Sequence, residues 1–131
     1  MTAVTAYEAK ASFTFDNREN EPVEFPAGSL NRARWSKVLT GDIEGSSIVH
    51  LLLSQREGGP AVYVGIEHYD VAVHGRSGTF LLMHSATMLG EDHETNWTIV
   101  PGSGTGELAG IAGAAEITPE HDFILRYTLP S

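Results

Sequence analysis

Residues 97–115 read WTIVPGSGTGELAGIAGAA, and the glycines at 102, 104, 106, 110 and 113 argue strongly against a helix. Each glycine in a helix interior costs about 1 kcal/mol relative to alanine. The alternative is a strand over about 94–100, a glycine corner, and a second strand over about 107–117, whose glycines let another backbone or a ligand come close. Ser103, Thr105 and Glu107 are expected to fix that corner through hydrogen bonds to local backbone rather than to react.

The rest of the chain alternates with a period of two. Tyr7, Ala9, Ala11, Phe13 and Phe15 share one parity, and the polar run 16–20 predicts the end of that strand. Residues 21–28, with Pro22 and Pro26, predict a loop. A second strand over about 30–39 places Ala33, Trp35 and Leu39 on one side, and Thr40-Gly41-Asp42 turns the chain into a third over 43–55. The nearly continuous apolar run 48–53 suggests burial on both faces. Turns at 58–60, 75–78 and 90–92 separate strands over 61–73 and 79–88 from the glycine-rich part, and a last strand covers 121–129. About eight strands joined mostly by hairpins predict an all-β fold, a small antiparallel up-and-down β-barrel, because closure removes the exposed edges of a meander. A two-sheet sandwich is the alternative.

A length of 131 residues fits one domain with one core. With 8 Lys+Arg against 17 Asp+Glu the net charge is -9, a surface that repels nucleic acid and anionic membranes alike. The absence of cysteine excludes thiol nucleophiles, thiolate metal sites and disulfides. Residues 1–10 have neither a basic nor an apolar signal region, so the expected location is cytoplasmic. Apolar residues of both parities in 48–53 and 61–73 predict that one outer face is covered by a second copy, giving a homodimer.

Glu67 shares a parity with Tyr63, Tyr69 and Val71. In a lumen its pKa would rise unless a cation pairs with it, and Arg34, Arg76 and Arg126 are the expected partners. His84 lies between Leu82 and Ala86 on the face of Phe80; alone it reads as a core histidine, but within reach of Glu67 the two would form an acid–base pair. His68, Asp70 and His74 share a parity without any recognised ligand spacing, so no metal is expected. Residues 102–106 lack the lysine and helix of a phosphate loop, and Ser103 lacks a nucleophile elbow. No cofactor is expected.

The runs Thr40-Gly41-Asp42-Ile43-Glu44-Gly45-Ser46, His74-Gly75-Arg76-Ser77-Gly78-Thr79-Phe80 and, above all, the glycine-rich motif from Trp97 to Gly110 resemble the bacterial domain-of-unknown-function 3224 family. The resemblance runs from Ala11 to Leu129. It implies a barrel of about eight strands similar to allene oxide cyclase, a group in which some members fold a reactive polyene into a ring in an apolar lumen. The glutamate, arginine and histidine positions are kept at Glu67, Arg76 and His84, while Asp16-Asn17 stands where relatives often carry an aromatic residue.

Three functions follow as expectations. One is a barrel binding a hydrophobic small molecule, with Trp35, Tyr63, Phe80 and Trp97 as walls and Arg126 as an orienting group. Another is a cofactor-free cyclase or isomerase of a polyene or epoxide, with Glu67, His84 and Arg76 as its chemical groups. The third is a structural or interaction protein whose barrel is filled by its own side chains.

Overall fold

The computed structural model describes residues 4–130, with side chains from Ala6 onward. Eight antiparallel strands close into a barrel in sequence order: β1 (Val4–Val23), β2 (Ser29–Gly41), β3 (Ile43–Gln55), β4 (Ala61–Val73), β5 (Arg76–Leu89), β6 (Asp92–Ile99), β7 (Ala112–Ile117) and β8 (Phe123–Pro130). A 3-10 turn, Gly106–Leu108, interrupts the β6–β7 connection. Among the described residues no helix is long and apolar enough to cross a membrane.

Closure depends on β1, which is longer than its alternation predicts. Its first half pairs with β8, from Val4↔Pro130 to Ala11↔Phe123, and its second half pairs with β2 out to Val23↔Leu30. The polar run 16–20 is therefore a bulge, not a turn. The register shifts between Phe15 and Asn17, and the strand bends there and continues. The turn expected at 75–78 is tighter as well: Val73 pairs with Arg76 across His74 and Gly75, both at positive φ, as a type I′ hairpin requires.

The barrel has two unlike halves. In one, Tyr69, Phe80, Leu82, Phe123, Leu125 and Tyr127 form a packed core, with Tyr69 stacked on Phe80 at 4.9 Å between ring centroids. Leu108 and Ile111, from the β6–β7 connection, are buried in this cluster and seal that end. The second half has a smaller cluster of Ala33, Val49 and Leu51, flanked by the half-buried Trp35, Leu53 and Tyr63.

The connection 100–111 differs from the expected pair of strands. β6 and β7 share a single ladder pair, Thr98↔Ala114, and the β5–β6 ladder ends at Leu82↔Ile99. Beyond it, the backbone N–H groups of Leu81, Thr79 and Ser77 donate to Ser103 Oγ (3.0 Å), Thr105 Oγ1 (3.0 Å) and Glu107 Oε1 (3.1 Å). Side chains two residues apart thus supply acceptors where a strand would present carbonyls, which makes them the corner-fixing groups expected. The fit needs Gly78, where a Cβ would lie 2.1 Å from the carbonyl oxygen of Thr105.

The run 48–53 is buried on one face only. Val49 and Leu51 point inward, while Ile48 and Leu52, with Val62, Val64, Ile66 and Met83, form an apolar patch on the outer surface of β3–β5. Leu52, Val64, Ile66 and Met83 line a shallow trough of about 580 Å³ over Gly65.

Candidate functional site

Four consecutive strands meet through polar side chains in the lumen. Lys37 from β2, Ser47 from β3, Glu67 from β4 and His84 from β5 all lie on the inward parity, and all are buried. Glu67, at 0% exposure, is at the centre. Its Oε2 accepts from the Ser47 hydroxyl at 2.6 Å and lies 3.2 Å from Lys37 Nζ, which also donates to Oε1 at 3.5 Å. His84 Nε2 stands 2.6 Å from Oε1. That contact is short but bent, so it is a close polar contact without the alignment of a good hydrogen bond.

Burial by itself would push the Glu67 carboxyl up. The His84 contact, the Lys37 ammonium and the Ser47 hydroxyl outweigh it and hold the pKa at about 2. Glu67 is therefore an ionised anchor. The group buries charge in compensated form, with both carboxylate oxygens occupied by donors.

Above this group lies a cavity of about 180 Å³. Phe13, Phe15, Trp35, Leu53 and Trp97 provide apolar wall, and Lys37, His84 and Tyr63 are its polar lining; Glu67 sits behind them and does not line it. Lys37 Nζ is 4.9 Å from the centroid of the Phe13 ring, within cation–π range. Trp97 lies 4.5 Å from the His84 ring and donates its indole N–H to the Tyr63 hydroxyl at 2.9 Å. At the mouth, Trp35 donates to Asn20 Oδ1 at 3.1 Å and meets Phe15 edge-on. Burial pushes the Tyr63 hydroxyl pKa up, against the lowering effect of the Trp97 hydrogen bond. The trough over Gly65 is larger, but it lies outside the barrel; the lumen is the better candidate because buried polar groups converge there.

The sequence-derived candidates separate into two groups. Glu67, His84, Tyr63, Trp35 and Trp97 come together at the cavity. Phe80 does not line it, being stacked on Tyr69 in the packed half, because the lumen is filled at that level. Arg76 is six ladder positions along β4 from Glu67, at the hairpin, with its guanidinium 5.6 Å from the Tyr7 ring. Arg126 takes the outward parity of β8 and is held outside by Glu116 (2.7 Å) and Glu8 (3.2 Å), which raise its pKa in that order. The arginine expected to pair with Glu67 is a lysine, Lys37, which shares the parity of Ala33, Trp35 and Leu39; a cation on an otherwise apolar strand face was the available signal. His68 and Asp70 face outward, and His74 bends at the hairpin to meet Tyr127 at 2.5 Å; among the described residues no three potential ligands gather around one metal-sized position.

An antiparallel eight-stranded barrel, packed at one end and hollow with a buried ionic group at the other, is the class that this fold and site define. Residues 9–130 match the profile of the family described as protein of unknown function (DUF3224), and the chain belongs to that family. It is similar to the crystal structure of a DUF3224 protein of unknown function from Shewanella oneidensis MR-1, at 26% identity and a TM-score of 0.71, with 96% of each chain covered. Comparison with curated proteins found no match.

Proposed function

We propose that the barrel binds a small, mainly apolar molecule in the hollow half of its lumen. The observation that carries this reading is the aromatic-walled cavity of about 180 Å³ with Lys37, His84 and Tyr63 on its lining. The ionic group can serve to hold the strands together, but a barrel built only for support has no need of the unfilled space beside it. The volume also bounds the ligand. An apolar protein cavity of about 150 Å³ is enough for benzene, so the lumen admits one ring or a short branched chain, and a long polyene would have to extend through the mouth.

Both tryptophans of the chain, Trp35 and Trp97, line the cavity, so their fluorescence reports on its contents. Titration with toluene and indane should perturb the emission saturably, and Leu53→Trp, which fills the mouth, should abolish binding in a calorimetric titration. An unchanged wild-type spectrum and no heat at millimolar probe would overturn the reading.

A cofactor-free isomerase or cyclase is the second reading, favoured by one contact: Glu67 Oε1 lies 2.6 Å from His84 Nε2. In that reading His84, which lines the cavity, moves a proton, and Glu67 behind it fixes the ring and steadies its charged form. NMR exchange of an enolisable cyclic ketone in heavy water tests it. Deuterium incorporation lost in His84→Phe supports catalysis; a rate equal to buffer leaves the barrel a binder.

A further inference from the structure

Resting on the proposal that the lumen holds a ligand, we infer that this ligand is a single-ring molecule carrying an acceptor oxygen, a carbonyl or carboxylate, directed at Lys37 and Tyr63. The argument is a count of unfilled hydrogen-bonding capacity around the cavity. Lys37 has three N–H donors and no acceptor; two are accounted for by the Glu67 oxygens at 3.2 and 3.5 Å, leaving a third for the cavity that it lines. Tyr63 accepts from Trp97 at 2.9 Å, so its own proton is free to donate. The indole N–H groups of Trp97 and Trp35 are already given to Tyr63 and Asn20.

Acceptors are scarce by comparison. The carboxylate of this group, Glu67, lies behind the cavity lining with both oxygens engaged. His84 turns Nε2 toward Glu67, so the one acceptor its ring can offer the cavity is Nδ1, against the two spare donors of Lys37 and Tyr63. The cavity thus offers spare donors and a cationic centre, between the faces and edges of Phe13, Phe15, Trp35 and Trp97. A ring fits the apolar volume, and an acceptor oxygen satisfies the spare donors. An amine would bring a second cation beside Lys37 and leave those donors unmatched.

The test is a set of probes of nearly equal size: acetophenone, benzoate, toluene and benzylamine, titrated against the full chain by tryptophan fluorescence and calorimetry. Acetophenone or benzoate should bind at least tenfold tighter than toluene, and benzylamine more weakly than toluene. Tyr63→Phe should reduce the advantage over toluene severalfold while toluene itself changes less than twofold. Because Lys37→Met alone would strand a buried carboxylate, the paired Lys37→Met/Glu67→Gln variant is the second arm, and it should reduce the advantage to the few-fold that Tyr63 alone supplies. Equal affinity of toluene and both oxygen-bearing probes in the wild type, tightest binding of benzylamine, or an advantage undiminished in both variants would overturn the inference while leaving a binding lumen in place. Failure of all four probes, toluene included, would overturn the lumen as a binding site and the inference with it.

Discussion

Lys37 and Glu67 meet 3.2 Å apart although the strands that carry them, β2 and β4, are not hydrogen-bonded neighbours. The pair reaches past β3, whose Ser47 hydroxyl fills the gap by donating to the same carboxylate oxygen at 2.6 Å. With His84 it ties four strands together inside the hollow half, where few apolar contacts would otherwise do so.

Glu67→Gln should destabilise the barrel by about 3 kcal/mol at pH 7, the range for removing one partner of a buried ion pair and leaving the other uncompensated. Urea unfolding followed by circular dichroism measures it. Lys37→Met/Glu67→Gln should recover much of the loss, since the stranded charge is then gone.

The same carboxyl sets an acid limit. Its pKa is lowered from 4.5 to about 2 in the folded chain, so its stabilising contribution is complete above about pH 5 and is lost as the pH falls toward 2. Over that window the wild type should lose about 3 kcal/mol more than Glu67→Gln does. Parallel urea curves at pH 7, 5, 4 and 3 would show the two converging; curves that stay a fixed distance apart would contradict the assignment.

Ser103→Ala and Thr105→Val each remove an acceptor from a β5 backbone N–H, at Leu81 and Thr79. Each should cost about 1–2 kcal/mol. Hydrogen exchange read by NMR should show the Leu81 amide accelerated in the first variant and the Thr79 amide in the second, with β3 and β4 amides changed only by the global loss.

Gly78→Ala should be the more damaging change in this region, because the new methyl would meet the Thr105 carbonyl oxygen at 2.1 Å, a backbone atom with no rotamer to escape into. A loss of about 2 kcal/mol or more is expected for such overpacking. A melting temperature equal to wild type would show that the 100–111 segment can lift away freely.

We propose that the outer patch on β3–β5 is where a second copy would dock. Ile66 is 56% exposed and Met83 49%, and the trough between them is lined by Arg32 and His50 but by no carboxylate, in a chain of net charge -9. Two copies can approach along this face with less repulsion than elsewhere. Light scattering should give a dimer mass, and Ile66→Lys should shift it to the monomer.

Much of this arrangement was legible in the residues. Alternation located β3, β4, β5 and β8 closely, and parity grouped Glu67 with Tyr63, Tyr69 and Val71 and His84 with Phe80, without saying that the two would meet. Lys37 shares the parity of Ala33, Trp35 and Leu39 and is passed over on that reading, because a lysine among apolar neighbours is easily set aside as one that reaches solvent. What could not be read was register. Whether Glu67 faces Arg76 or Lys37 depends on pairings such as Val49↔Glu67 and Gly65↔His84, fixed by the whole closed ladder. The run 16–20 misled for a related reason: pairing with β2 holds it as strand despite its turn-forming composition. In the 97–115 segment the glycines excluded a helix, yet the segment became a tether, because Leu108 and Ile111 gain more as a seal for the core than as part of a ladder.

That tether has a consequence for how the molecule behaves in a crowded solution. Without Ser103, Thr105 and Glu107, half of β5 would offer a row of unpaired donors to any passing chain, the kind of border from which intermolecular sheets grow. Because the guard is made of side chains on a glycine-rich loop, one proteolytic cut between 100 and 111 could release it while every other strand stays in place. A nick there should therefore reveal itself first as aggregation, before any measurable unfolding of the barrel.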